Sequence, residues 1–366
     1  MKFLIISNTK FISRPHLVRL SRLIAYWNYK VLFCEINDKI QKKEKNINFL
    51  SINKISGRIG LILNLICQFF SLLKVIKNYS SSDILIATHP YSLLLMFLVK
   101  IFNQKIKTVY YPGEIYDGKG LWHLRFIEKI CIKIVKGYIL PNKPREEYLI
   151  NNYGFKPSYV IPNSTPDFQI YSNYKIKKPV GKIKLIYLGT SNVRRRCLDN
   201  LINAVDLYES DLLLSLAVGG REEEINKIKE IIRNAKNPDR FKFLDYAPYP
   251  NHFKYMKDAH IGVMLYHPNI SLNYKYCEPN KIYEYAMMSL PVLSSDQTHL
   301  KSSVESYDFG VAVDPLDVKN IIEGINELLG KDLDQMRINA RDWFIEKGNY
   351  NKQTEKLRDW FYEITK

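Results

Sequence analysis

In the stretch CEPNKIYEYAMMSLPVLSSD, Lys281 and Glu284 stand three residues apart, just after Pro279 and Asn280. Proline suits a first helical position, where its missing N–H has no partner to lose, so the stretch predicts a helix start running into a buried strand. The spacing then puts Lys281 and Glu284 on one face near the amino end. A carboxylate held there can accept two hydrogen bonds from a vicinal diol such as a ribose, and the helix dipole keeps it ionised. The plainer alternative is an intrahelical ion pair worth roughly 0.3 kcal/mol.

A second group lies in KLIYLGTSNVRRRCLDNLINA, where Gly189 ends an apolar run and the loop delivers Arg194, Arg195 and Arg196 to a helix start. Free N–H groups there favour anions, and guanidinium forks add charge-assisted bonds to phosphate oxygens. A solvated basic turn is the competing account. In LAVGGREEEINKI, Gly219 and Gly220 follow a strand, but their spacing is not GxGxxG, which argues against a dinucleotide-dependent dehydrogenase. A tight structural turn is the simpler account of that pair.

Elements able to position these groups alternate along the chain. Strand-like runs KFLIIS, KVLFCEI, DILIATH, KTVYYPG, GYILPN and YVIPNS are separated by helices beginning near Ser13, Arg58, Pro90, Leu121 and Pro144. A second series, KLIYLGTS, LLLSLAVGG, RFKFLDY, HIGVMLY, LPVLSS and FGVAVD, has helices near Arg196, Arg221, Asn251, Pro279 and Thr298. This is the pattern of parallel α/β architecture. Thr165 to Lys182 lacks apolar periodicity and reads as a linker. We expect two doubly wound domains, 1–165 and 166–345, with a cleft at the carboxyl ends of their strands, and a helix at 346–366 that crosses back to the first domain. Trp343, Phe344, Trp360 and Phe361 in this tail require a surface to bury against.

Composition narrows the class. A chain of 366 residues with 46% hydrophobic residues can build two cores, and five dispersed cysteines without a CxxC or Cys/His cluster indicate neither zinc nor a disulfide framework. The opening MKFLIISNTK is too short in apolar residues for a signal-peptide core, so a cytoplasmic protein is expected. Residues 1–165 carry 25 Lys and Arg against 9 Asp and Glu, whereas 166–366 carry 29 against 28. Of the excess of +17, +16 lies in the first half, which would be drawn to an anionic surface. The most apolar run, Ile59 to Ile76, is interrupted by Asn64, Gln68, Ser71 and Lys74 at helical spacing, so it predicts an amphipathic helix and not a membrane span. That run and residues 91–102 are either buried core helices or part of a membrane-docking surface. The aromatic–basic interleaving of a nucleic-acid-binding module is missing, so no nucleic acid is expected.

PNKIYEYAMMSLPVLSSD resembles the donor-site segment of GT-B glycosyltransferases of family 4, in which a Glu-bearing helix runs into Pro-Val of the next strand. GTSNVRRRCLDNLINA resembles that family's first donor-domain loop, with Arg196 where the family has its phosphate-binding Lys. YVIPNS, VYYPGEIYDG and NKPREEYLINNYG are similar to acceptor-domain segments, so the resemblance spans essentially the whole chain.

The resemblance implies two Rossmann-like domains and transfer of a sugar from a nucleotide-sugar donor, UDP-linked in most relatives, to a glycan or lipid-linked acceptor. Retention of anomeric configuration and a role in bacterial surface polysaccharide synthesis, lipopolysaccharide or capsule, are implied in the same way. Glu284 would bind the donor ribose, Gly189, Arg195 and Arg196 would face the diphosphate, and Lys281 and Asn280 would lie beside them. The E-x7-E pattern puts its first Glu at Tyr276, with Glu278 two residues off register, and both count as donor-side candidates. The family's acceptor-domain His is replaced by Gly113, leaving Glu114 as the candidate base, and TKFISRPH replaces a glycine-rich first loop. His16 and His89, in strand-to-helix loops, are candidates for contact with the acceptor. Asp206, Asp211 and Asp258 stand alone, without a DxD-like motif, so leaving-group charge is expected to fall to Arg195 and Arg196, with no cofactor and no essential metal. A nucleotide-sugar epimerase of the same fold, an inactive scaffold and a basic binding protein are the alternatives. The enzyme would be cytoplasmic, free or peripheral on the inner face of the plasma membrane.

Overall fold

The computed structural model describes residues 1–37, 44–57, 59–118, 120–168 and 182–366. The expected helix start at Arg58 and most of the expected linker fall outside them. The chain divides into two compact units, Met1–Ile161 with Thr354–Lys366, and Pro162–Gln353.

The first unit is built on seven parallel strands: β1 Lys2–Ile6, β2 Lys30–Ile36, β3 Ile47–Ile52, β4 Ile84–Ala87, β5 Lys107–Tyr110, β6 Gly137–Leu140 and β7 Ser158–Val160. Their order is β3-β2-β1-β4-β5-β6-β7, so the winding reverses between β1 and β4. The inner strands are short and nearly all apolar because helices cover both faces. β3 escaped the sequence pattern because it is an edge strand with a single buried residue, Ile47, and with Asn48 and Ser51 exposed in it. Residues 354–366 complete this unit. Phe361 packs edge-on to Phe3 at 5.0 Å between ring centroids, and a β-carbon at Gly137 would meet Trp360 and Ile364 within 2.8 Å.

The second unit holds β8 Ile183–Thr190, β9 Leu212–Gly219, β10 Phe241–Leu244, β11 Ile261–Met264, β12 Val292–Ser295 and β13 Gly310–Val313. They are ordered β10-β9-β8-β11-β12-β13, with the reversal between β8 and β11. Gly220 turns off β9 with φ +149°, and a β-carbon there would stand 2.4 Å from Ser191 Oγ. The glycine pair is thus a steric requirement of the turn.

The Gly60–Ile76 helix is amphipathic, as its pattern predicts, but two of its polar residues are on the inner face. Asn64 and Gln68 face inward, while Ile59, Ile62, Ile66 and Phe70 are exposed. The polar pair is buried because it has partners. Asn64 bonds the backbone N–H and C=O of Ile55 at 2.9 and 3.0 Å, and Gln68 Nε2 donates to the Ser7 carbonyl at 3.1 Å. Amides with partners are tolerated in a core, Asn64 through both atoms and Gln68 through its Nε2, while Gln68 Oε1 has no partner among the described residues, and the apolar stripe then points outward.

Candidate functional site

In the second unit the candidate residues collect at the β8/β11 switch point, where open α/β sheets bind ligands. Gly189 is the penultimate residue of β8, and Asn192 caps a single turn, Val193–Arg196, with its Oδ1 accepting from Arg195 N at 2.9 Å. Cys197 then takes a left-handed φ of +47° and the chain restarts as the Leu198–Leu207 helix. Arg196 lies over the Tyr266 ring, 4.2 Å from its centroid, and its Nε donates to Thr190 Oγ1 at 3.2 Å. Its Nη1 is shielded from solvent without a hydrogen-bond partner among the described residues. Arg195 is exposed, 5.9 Å from the Tyr274 ring centroid, and Arg194 is exposed too.

The Asn280–Met287 helix begins one residue later than expected, with Pro279 as its cap residue in extended backbone. Tyr285 pins it to the sheet, donating to the carbonyls of Ile186 at 3.3 Å and Val263 at 3.2 Å, directly over Gly262. This fixes Lys281 and Glu284 at the switch point. Desolvation lowers the Lys281 pKa to about 8, with Arg196 pushing the same way and Glu284 opposing. Glu284 is buried, its Oε2 3.3 Å from His252 Nε2. A β-carbon at Gly189 would stand 2.9 Å from Lys281 Nζ, so the lysine lies across the end of β8. Gly189, Arg196, Lys281 and Glu284 are therefore brought together.

Glu278 is placed differently from expectation. Its carboxylate is interior, hydrogen-bonded by the Tyr283 hydroxyl and 2.6 Å from His299 Nε2. Burial disfavours a charged His299, but Glu278 outweighs that and raises its pKa. Glu278 lies in the segment between the Leu272–Lys275 turn and the Asn280–Met287 helix, where its side chain is turned into the core. Asn280 and Tyr276 are half-buried, with Lys275 Nζ 5.5 Å from the Tyr276 ring centroid.

The first unit has a concave site at its own switch point. It encloses about 310 Å³, counted with the solvent at its mouth, and is lined by residues that include Asn8, Arg14, His16, His89, Gly113 and Glu114. Three of these, His16, His89 and Glu114, are candidates named from sequence. His16 lies edge-on to Tyr111, and burial, aided by Arg19, Arg14 and Arg145, lowers its pKa to about 3. Burial and Arg14 lower that of His89 to about 4. His89 Nδ1 accepts from Tyr91 N at 3.2 Å, capping the Pro90–Phe102 helix. Both rings are thus neutral near pH 7. Arg145 Nη1 donates to the Gly113 carbonyl at 2.8 Å and fixes the loop bearing Glu114. The amide of Asn8 is shielded from solvent with neither atom paired among the described residues.

Sequence reasoning missed His252, Tyr266, Tyr274, Asn8 and Arg145. None sits at a telling spacing, because each reaches its site from a distant segment. Among the described residues no group of three His, Cys, Asp or Glu side chains could hold a metal ion.

Comparison with solved structures places the architecture. The chain aligns over its full length with sucrose-phosphate synthase from Thermosynechococcus elongatus, at 14% identity and a TM-score of 0.80, covering 99% of that protein. HepE from Anabaena, in complex with UDP, aligns at 13% identity and 0.75, covering 99% of this chain and all of its own. The lipopolysaccharide outer core galactosyltransferase WaaB aligns at 14% and 0.74, covering 98% and 99%. These likenesses show the GT-B fold. No curated protein sequence matches the chain. The family model for glycosyl transferases group 1 matches residues 143–343, more than half of the sequence. The chain belongs to the glycosyl transferases group 1 and is a glycosyltransferase.

Proposed function

We propose that the second unit binds the nucleoside diphosphate of an activated sugar, UDP in the first instance, and that the sugar passes to a hydroxyl of a glycan or lipid-linked acceptor in bacterial surface polysaccharide synthesis. The reading rests on Arg196, whose shielded Nη1 has no partner among the described residues beside Lys281 at the switch point. Two cations meeting at a strand end in this way suit a diphosphate, and Glu284 suits the ribose diol. The likeness to a protein crystallised with UDP and to a lipopolysaccharide galactosyltransferase supports this choice of donor and pathway.

In the reaction, the bond between the anomeric carbon and the diphosphate oxygen breaks while one to the acceptor oxygen forms. Charge grows on the departing diphosphate, so Arg195, Arg196 and Lys281 favour the transition state over the ground state without an essential metal. The acceptor proton leaves to Glu114, with His16 and His89 contacting the acceptor as neutral hydrogen-bonding groups, and the anomeric configuration is retained. The enzyme works in the cytoplasm, at the inner face of the plasma membrane.

The test is a thermal-shift panel with UDP, GDP, CDP and dTDP on the wild type and on Glu284→Ala, since a ligand that binds only the folded state raises Tm. UDP stabilising the wild type alone is expected. No response to any nucleotide would overturn the donor assignment, and unchanged transfer by Glu114→Gln would remove the base.

A further inference from the structure

The first unit wears much of its apolar surface on the outside. The helices Gly60–Ile76, Pro90–Phe102 and Trp122–Cys131 follow β3, β4 and β5 and pack in a row on one side of the sheet, sharing a single core with Leu4, Leu85 and Tyr138. On the first helix Ile59, Ile62, Ile66 and Phe70 form an exposed stripe at helical spacing. The next helix ends in Ile101 and Phe102, each 60% exposed, and Phe102 lies 6.1 Å from Phe69 between ring centroids, which joins the two helices' outer faces. The third repeats the arrangement with Trp122, Phe126 and Ile130 at intervals of four, all exposed.

Polarity is inverted on two of these helices. Asn64 and Gln68 are spent on interior hydrogen bonds, and so is Glu128, whose carboxylate accepts from the hydroxyls of Tyr110 and Tyr153 at 2.6 Å each. An ordinary solvent-facing helix does the opposite. The charge of the surface is equally one-sided. From residue 59 to residue 113 the lone acid is Asp83, which is buried, whereas Lys74, Lys77 and Lys105 are exposed, as are Arg125, Lys129 and Lys133 beside Phe126 and Ile130. Among the described residues no helix is long and apolar enough to cross a membrane. Aromatic and aliphatic side chains bordered by cations, on helices that lie flat on a sheet, match the interface of a bilayer with anionic headgroups.

We infer that this three-helix face inserts shallowly into an anionic phospholipid surface, with Ile62, Ile66, Phe70 and Trp122 among the acyl chains and the lysines at the headgroups. The inference stands apart from the donor assignment, because vesicle binding is measured without nucleotide.

The experiment is co-sedimentation of the full chain with phosphatidylcholine vesicles with and without phosphatidylglycerol. The wild type is expected to bind the anionic vesicles about tenfold more tightly than the neutral ones. The triple variant Ile62→Glu, Ile66→Glu, Phe70→Glu changes exposed positions and is expected to lose about tenfold or more of that binding while keeping its melting temperature. A wild type that stays in the supernatant, or a variant that sediments equally well, would overturn the inference. So would a lipid-free dimer in analytical ultracentrifugation that the triple variant returns to monomer, since a second copy would then cover the face. Retained vesicle binding by a protein that ignores every nucleotide would refute the donor site and leave the docking face standing.

Discussion

Lys281 and Gly189 touch: the lysine's Nζ occupies space that any side chain at 189 would need, 2.9 Å from an ideal β-carbon. Gly189→Ala is therefore expected to push the ammonium off the end of β8. The lysine is the flexible partner, so the fold should survive with little change in Tm, while UDP affinity falls about tenfold. Isothermal titration of UDP reads this directly, and unchanged affinity would show that the ammonium has no part in binding.

Because burial lowers the Lys281 pKa to about 8, its charge disappears within a range open to experiment. UDP affinity should fall between pH 7 and pH 9 as the ammonium is lost, by up to about tenfold over the two units. Lys281→Arg should flatten the profile, since guanidinium stays charged. Folding stability should move the other way. The folded pKa lies below the unfolded value, so stability rises as pH climbs from 8 towards 10.5.

Arg196 lays its planar guanidinium over Tyr266 while its Nε donates to Thr190 Oγ1, an arrangement that lysine does not reproduce. Arg196→Lys should lower kcat by roughly a hundredfold, with a much smaller effect on KM, as for loss of an interaction that strengthens in the transition state. Steady-state kinetics on any productive donor and acceptor pair would decide it. A pure KM effect would confine Arg196 to ground-state binding.

Glu278 is expected to act on stability. Removing its charge strands His299 and weakens the Tyr283 hydrogen bond, at a cost of about 3 kcal/mol. Glu278→Gln should lower Tm and leave the UDP Kd of the folded fraction within about twofold. A tenfold loss of affinity at unchanged Tm would return this residue to the donor site.

His16 and His89 have folded pKa values of about 3 and 4, well below the unfolded 6.5. Their contribution is fully present above pH 6.5 and is lost progressively as pH falls from 6.5 to about 4 for His89 and about 3 for His16, at up to about 1.4 kcal/mol per pH unit for each ring. Denaturant titrations from pH 7 to pH 4 should show this slope, and His16→Asn should reduce it.

The parallel sheets were legible because buried central strands read as continuous apolar runs, and Pro15, Pro90 and Pro279 mark helix starts that the structure keeps. Lys281 and Glu284 were legible because their spacing is local. His252 was not, because it reaches Glu284 from a turn 32 positions upstream through the fold of the sheet. The inward direction of Asn64 and Gln68 was not legible for a related reason. Helical periodicity finds two faces but does not say which is inner, and that was decided by the carbonyls of Ile55 and Ser7, set in place by other segments.

The return of residues 354–366 to the first unit has a consequence for synthesis. Strands β1 to β7 leave the ribosome first, yet the side chains that cover Phe3 and Gly137 are translated only after the entire second unit. The amino-terminal sheet therefore waits, incompletely covered, while the later unit has all its own residues in hand and can fold at once. Assembly runs out of order with translation, and the nascent chain's exposure to chaperones and proteases falls on the half that was made earliest.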